Sequence, residues 1–265
     1  LSSKTLNVLS FGGGIQTVAL ALMCMNGDVP EPDAIVFSDT GWEVAGTYEY
    51  LSWFLPMLED QGMDVHVVTA GNLREDALDN SKRFAAMPLF TENDSPGASY
   101  GMLRRQCTNE YKVQPVYQKI RSLLGLVRYE RHADKVKLWL GISMDEVSRM
   151  KPNRVKWIEN TFPLIDAGIN RQDCIKYIKD SGFHLPPKSA CIGCPYHSDT
   201  FWKQLKKNSP VEFQDAVDFD NDIRKHRVSL KNKVYLHRSL RPLGYIDFDN
   251  QPDLFDDECE GYCGL

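Results

Sequence analysis

Residues 4–69 alternate between short apolar runs that end in tight turns and stretches with helical apolar spacing, and this alternation constrains the fold more than any other feature. Residues 4–10 (KTLNVLS) read as a buried strand running into Phe11-Gly12-Gly13-Gly14, and residues 15–25 carry apolar side chains at helical spacing. Residues 33–38 (DAIVFS) form a second strand ending in Asp39-Thr40-Gly41; residues 43–58 are again helical, and residues 63–69 supply a third strand. Such an order predicts an α/β protein with a parallel, doubly wound, Rossmann-like sheet and crossover helices. Right-handed crossovers put strands 1 and 2 side by side, with both C-terminal ends on the edge where such sheets bind ligands.

Further along, residues 137–142 (KLWLGI) read as a fourth strand, followed by a loop over 143–151. Residues 157–166 read as an extended segment ending in PLID. Helices are expected over 109–124, over 171–181 and, after residue 197, to about residue 226, and residues 91–100 read as an exposed loop. A CxxC lies in a stretch with three prolines over 184–197, and VYLHRSL leads into a loop-rich tail. The simplest division is an α/β core over 1–182 with a cysteine-bearing helical and loop-rich extension over 183–265.

Charge and composition narrow the classes. With 31 basic and 36 acidic side chains, 31 − 36 = −5, so nucleic acid would have to be gripped by a local patch rather than by the whole surface. No apolar run approaches the roughly 20 residues that span a bilayer, and residue 1 is not followed by a basic and then an apolar region, so the expectation is a soluble, cytoplasmic protein without membrane contact.

Seven cysteines without an export signal make a poor disulfide framework. Cys24 and Cys174 fall within helical patterns and read as small buried hydrophobes. Cys107, Cys191, Cys194, Cys259 and Cys263 fall among turn residues, in RQCT, ACIGCP and ECEGYCG, as a metal or cluster site requires. His184 and His197 flank the CxxC; loop hydrogen bonding is the plainer reading for both. Glu146 beside Asp145 is either a paired carboxylate for Mg²⁺ or an acidic helix start. Tyr235, His237 and Arg238 are candidates to reach a substrate but fit no pattern.

The glycine run exposes amides at a helix N-terminus, which suits a phosphate or sulfate, or else it is a bare tight turn. It is neither a P-loop nor a spaced dinucleotide fingerprint. Asp39 and Thr40 either bond a nucleotide or, in the case of Asp39, cap the next helix. LSFGGGIQTVALALM followed by VFSDTGWEVAGTYEYL resembles the nucleotide-binding core of the phosphoadenosine and adenosine phosphosulfate reductases of the PP-loop, or adenine nucleotide α-hydrolase-like, superfamily. RQCTNEYKVQP, LWLGISMDEVSR, PLID, SACIGCP and the terminal ECEGYCGL resemble further segments of that family, in order.

That resemblance implies an adenine nucleotide, ATP or an adenylyl sulfate (APS or PAPS), bound by Ser10, Phe11, Gly12, Gly13, Gly14, Gln16, Thr17, Asp39, Thr40, Gly41 and Gly141. Gln16 stands where many ATP-cleaving relatives carry Asp, and is similar to the phosphosulfate reductases. The resemblance also implies a [4Fe–4S] cluster on Cys107, Cys191 and Cys194, but Thr108 replaces the neighbouring cysteine of a tandem pair. The fourth ligand is then expected from the tail, Cys263, with Cys259 as the catalytic thiol; the two are hardly separable by sequence.

Arginines that neutralise a terminal sulfate in the family are replaced by Ser143 and Met144, and Arg104, Arg105, Lys112, Arg149 and Lys151 are the nearby cations for a substrate anion. The resemblance therefore points to an oxidoreductase or sulfurtransferase that reduces a sulfonucleotide or transfers sulfur, with a thiol electron donor or sulfur donor as partner. ATP-dependent thiolation of tRNA or DNA, with pyrophosphate release, is the alternative. A zinc-stapled nucleotide-binding protein without turnover is the non-enzymatic one.

Overall fold

A computed structural model describes residues 5–84, 87–92, 101–127, 135–226, 230 and 232–249. Its centre is a five-stranded, all-parallel sheet made of β1 (Thr5–Phe11), β2 (Ala34–Asp39), β3 (Val65–Thr69), β6 (Lys135–Leu140) and β7 (Ile158–Thr161), in the order β3-β2-β1-β6-β7. The expected neighbours β1 and β2 pair in register from Val8↔Ala34 to Phe11↔Phe37.

Alternation along the strands sorts side chains to two faces. Leu9 and Phe11 of β1, with Ile35 and Phe37 of β2, pack under α1 (Ile15–Met25), α2 (Ala45–Asp60) and α6 (Arg171–Asp180). Leu6 and Val8, with Val36, Val136 and Leu138, pack under Val116 and Ile120 of α4 (Gln114–Leu123). α1 is buried along most of its length, from Thr17 to Cys24, because it is packed between the sheet and the neighbouring helices, α6 above all. Cys24 and Cys174 sit in the first of these cores, and burial pushes both thiols up to about 12, as befits inert hydrophobes.

A third core joins the second turn to the C-terminal helices. Trp42, Leu73 and Ala77 of α3 (Leu73–Leu78), and Tyr111 meet Trp202 of α7 (Asp199–Asn208) and Phe219 and Ile223 of α8 (Pro210–His226). A small antiparallel sheet, in the order β5 (Gly101–Met102), β4 (Phe90–Thr91), β8 (Val234–Tyr235), ties the middle of the chain to VYLHRSL. Two-residue strands leave too little alternation to be read from sequence.

Two expected segments differ in form. Residues 157–166 are not extended throughout: β7 ends at Thr161, and PLID is a single helical turn, α5 (Pro163–Asp166), whose proline presets the helical φ. The helix expected over 109–124 opens with a π-helical turn, Thr108–Val113, before α4. Pro115 has no N–H to offer the Tyr111 carbonyl four residues back, and Ser38 Oγ donates to that oxygen at 2.7 Å, pinning the turn to the end of β2. Among the described residues, no helix is long and apolar enough to cross a membrane.

Candidate functional site

The chain lays β1, β2 and β3 out in one direction and then returns to place β6 on the other side of β1. The crevice beyond the C-terminal ends of β1 and β6 is thus a topological switch point, where open α/β sheets bind ligands. A cleft of about 150 Å³ lies there. Ser10, Phe11, Gly12, Gly14, Gln16 and Thr17 line it from the first turn, Gly141 and Ile142 from the end of β6, and Lys112 from the π turn. Gly13 adopts φ 71°, which L side chains rarely take, and swings the chain into α1. No side chain caps α1 at Gly14 and no acid occupies its first turn, so the helix end keeps its affinity for an anion.

Glu146 and Arg149 enter the cleft from the 3₁₀ turn Met144–Arg149. The two are ion-paired, and Gln16 Nε2 donates to Glu146 Oε2 at 3.3 Å. Burial raises the Glu146 carboxyl above its ordinary range against the opposing pull of Arg149. Asp145 has separate partners: it accepts from Ser143 Oγ at 2.8 Å and from the Arg171 amide at 2.9 Å. Burial opposes its ionisation, but these bonds prevail and hold its carboxyl low. Arg104 and Lys151 are exposed and line neither the cleft nor the cavity behind it.

At the second turn, Asp39 Oδ1 accepts from the Gly41 amide and from Tyr48 Oη, both at 2.8 Å; the N-cap of α2 is Val44. The turn is zipped to the CxxC loop: the Ile192 amide donates to the Trp42 carbonyl at 2.9 Å and the Val44 amide to the Ala190 carbonyl at 3.1 Å. Behind it is a cavity of about 30 Å³ whose walls include Thr40, Cys107, Cys191, Cys194, Arg105 and Lys112. Three loop cysteines from distant parts of the sequence thus share one cavity. No group of three metal-ligating side chains among the described residues is gathered tightly enough to hold an ion, and Cys259 and Cys263 lie outside the described residues.

Glu43 was not apparent as a site residue from sequence. It is 2% exposed. Its Oε1 accepts from Thr40 Oγ1 at 3.0 Å, pairs with Lys112 Nζ at 3.1 Å and lies 3.6 Å from Cys191 Sγ, while its Oε2 has no hydrogen-bond partner among the described residues. An acid directly after the Asp-Thr-Gly-Trp turn was the available signal. Three thiols lining one cavity have the donor chemistry of a thiophilic metal centre, but they are not drawn together as ligands. His197 keeps to its plainer role: Nε2 meets the Cys191 carbonyl at 2.8 Å and the ring stacks on Phe201 at 3.6 Å. His184 packs edge-on against Trp53.

A second buried polar group surrounds His237, whose Nε2 meets Asp199 Oδ1 at 2.6 Å and whose Nδ1 meets Ser239 Oγ at 2.8 Å. Burial lowers the His237 pKa from its ordinary value in spite of Asp199. Arg238 pairs with the other Asp199 oxygen, and the group ties α7 to the segment after β8. Neither a scan against protein-family models nor a search of curated proteins finds a match for this chain.

Proposed function

We propose that the chain is an adenine nucleotide-binding enzyme of the phosphosulfate reductase-like, PP-loop type, acting in sulfur transfer or sulfonucleotide reduction with a [4Fe–4S] centre. One observation carries this reading: Lys112 lines both the switch-point cleft and the cysteine cavity, so a single cation borders the nucleotide site and the thiolate site.

The amides of the Gly12–Gly14 turn and of α1 take the phosphates, with Lys112 and Arg149 as counter-charges. The nucleotide lies across the ends of β1 and β6. When bound, the cluster supplies electrostatic support to the anionic end of the substrate. The Cys259 thiolate attacks the sulfur of the adenylyl sulfate; an S–S bond forms, the S–O bond to phosphate breaks, and the nucleotide leaves with the electron pair. An external thiol then attacks Cys259 Sγ, the S–S bond to the sulfonate breaks and sulfite leaves; a second thiol frees Cys259, and the two donor thiols depart as a disulfide.

Glu146 favours a second reading. A buried carboxylate in an anion cleft, with Ser143 and Met144 in place of arginines, suits a nucleotide that arrives with Mg²⁺, as in ATP-dependent thiolation of tRNA or DNA. The deciding experiment is anaerobic purification, iron, sulfide and zinc analysis, and turnover of APS, PAPS and ATP. Sulfite release with iron and sulfide bound supports the reductase, and pyrophosphate release that depends on tRNA or DNA supports thiolation. A colourless zinc protein without turnover refutes both.

A further inference from the structure

We propose that the loop over 149–157, at the mouth of the switch-point cleft, is a docking surface for a single-stranded nucleic acid, whose phosphates it takes on Lys151, Arg154 and Lys156. This rests on the second reading above, in which a nucleic acid accepts sulfur, and says where that acceptor lies. The chain has a net charge of −5, yet RMKPNRVKW holds four cations and no acid. An acidic protein grips a polyanion only through such a local patch.

The loop is pinned from within. Tyr117 Oη of α4 donates to Asn153 Oδ1 at 3.0 Å, the Val155 amide donates to the same oxygen at 2.8 Å, and Asn160 Nδ2 donates to the Lys151 carbonyl at 3.0 Å. Val155 and Trp157 pack inward on the core under α4. Between and before them Lys151, Arg154 and Lys156 are exposed, and their side chains form no hydrogen bond or ion pair among the described residues. Exposed cations elsewhere, such as Lys176 and Lys203, are paired with Asp180 and Asp249. The acids flanking the loop are engaged: Glu146 with Arg149, Asp145 with Ser143 and the Arg171 amide, while Glu159 lies opposite Lys137 in the β6–β7 register. A loop already held still loses little freedom when a strand binds. Tyr117, Glu146 and Arg149 also line the cleft, so loop and cleft share walls. On the turn between them Met144, Val147 and Met150, spaced three apart, are all exposed. They offer an apolar ridge to unpaired bases, which a duplex keeps stacked away.

The test is fluorescence anisotropy of labelled single strands of roughly 16 nucleotides, DNA and RNA, titrated with the full chain at several salt concentrations. Lys151→Ala/Arg154→Ala/Lys156→Ala is expected to bind at least about tenfold more weakly and to lower the slope of log affinity against log salt by about 2, the share of three phosphates. Lys151→Arg/Lys156→Arg is expected to bind like the parent. So is Lys176→Ala/Lys179→Ala/Lys207→Ala, which removes the same charge from other faces. Met144→Ser/Met150→Ser is expected to weaken the strand but not inorganic polyphosphate of matched charge. Urea midpoints equal to the parent's keep folding out of the comparison. Equal loss in the loop and control variants, or polyphosphate or a duplex bound as tightly as the strand, overturns the proposal. A parent that binds no strand but turns over APS, PAPS or ATP overturns it too and leaves the nucleotide enzyme standing. A parent that binds the strand through these cations, while no nucleotide is turned over, overturns the enzyme reading and leaves the docking surface.

Discussion

Most walls of the switch-point cleft hang from a parallel strand or from the helix that follows it: Ser10 and Phe11 end β1, Gly12 follows it, Gly141 and Ile142 follow β6, and Gln16 and Thr17 are on α1. The cysteine cavity has no such frame. Its thiols come from the start of a π turn and from a proline-flanked loop, and it closes only because Trp42 and the CxxC loop share backbone bonds and pack on α7 and α8. A site on strand ends inherits its geometry from hydrogen-bond registers, whereas a site between loops depends on side-chain packing far from its own donors. The first is expected to tolerate damage to the third core, and the second is not.

Gly193→Ala strikes the weaker frame and has the largest expected effect. A Cβ there would fall inside the Trp42 indole, which is itself fixed by Asp215 at 2.6 Å and by Phe219 at 4.6 Å. The expected loss is about 3 kcal/mol, read as a lower urea midpoint, together with loss of metal. If the midpoint and metal content stay at parental values, the cavity does not depend on this packing.

Lys112→Met tests the shared border. It leaves Glu43 buried without its cation, for an expected loss of about 2 kcal/mol, reduced from the range for fully buried pairs because Lys112 is 20% exposed. Nucleotide affinity and metal retention should both fall, measured by calorimetric titration and metal analysis on one preparation. A fall in only one separates the two regions.

Gly141→Ala is the counterpart of Gly193→Ala on the strand-built side. Its Cβ would come within 2.5 Å of Thr17 Cγ2 and 3.1 Å of the Thr17 amide, prising β6 from the start of α1. Nucleotide dissociation constants are expected to rise about tenfold, or ~1.4 kcal/mol, with metal content unchanged. Parallel loss of metal would show that the cavity leans on the sheet after all.

The smallest expected effect is on pH dependence. His237 is held neutral, with its folded pKa below the ordinary value, so the unfolded chain binds the proton more readily. Its stabilising contribution is full above the unfolded value near 6.5 and is lost as pH falls through the lowered folded value. Urea midpoints of His237→Gln between pH 7.5 and 5 should decline less steeply than those of the parent. Equal slopes would assign the acid sensitivity elsewhere.

The same contrast explains what could be read from sequence. Strand, turn and helix follow one another within about 30 residues in βαβ units, and the four expected strands lie within two residues of β1, β2, β3 and β6. Local spacing also marked the glycine run and the CxxC, and the family resemblance marked Gly141; the fold brings Gly12, Gly14 and Gly141 to the cleft and Cys191 and Cys194 to the cavity behind it. Glu43 could not be read because its partners Thr40, Lys112 and Cys191 come from three separate segments and no periodicity links them. His237 was a candidate without a pattern, and its pairing with Asp199 escaped for the same reason: it needs α7 and the segment after β8 to be already packed.

The CxxC loop lies far along the chain from Cys107, with β6, β7, α5 and α6 between them. Chain closure over that distance is slow relative to formation of local βαβ contacts, so the thiols meet late in folding. Cys107 therefore passes through synthesis apart from Cys191 and Cys194, open to oxidation before the cavity closes around it. Oxygen present while the chain is being made should therefore do more harm than the same oxygen applied to the finished protein.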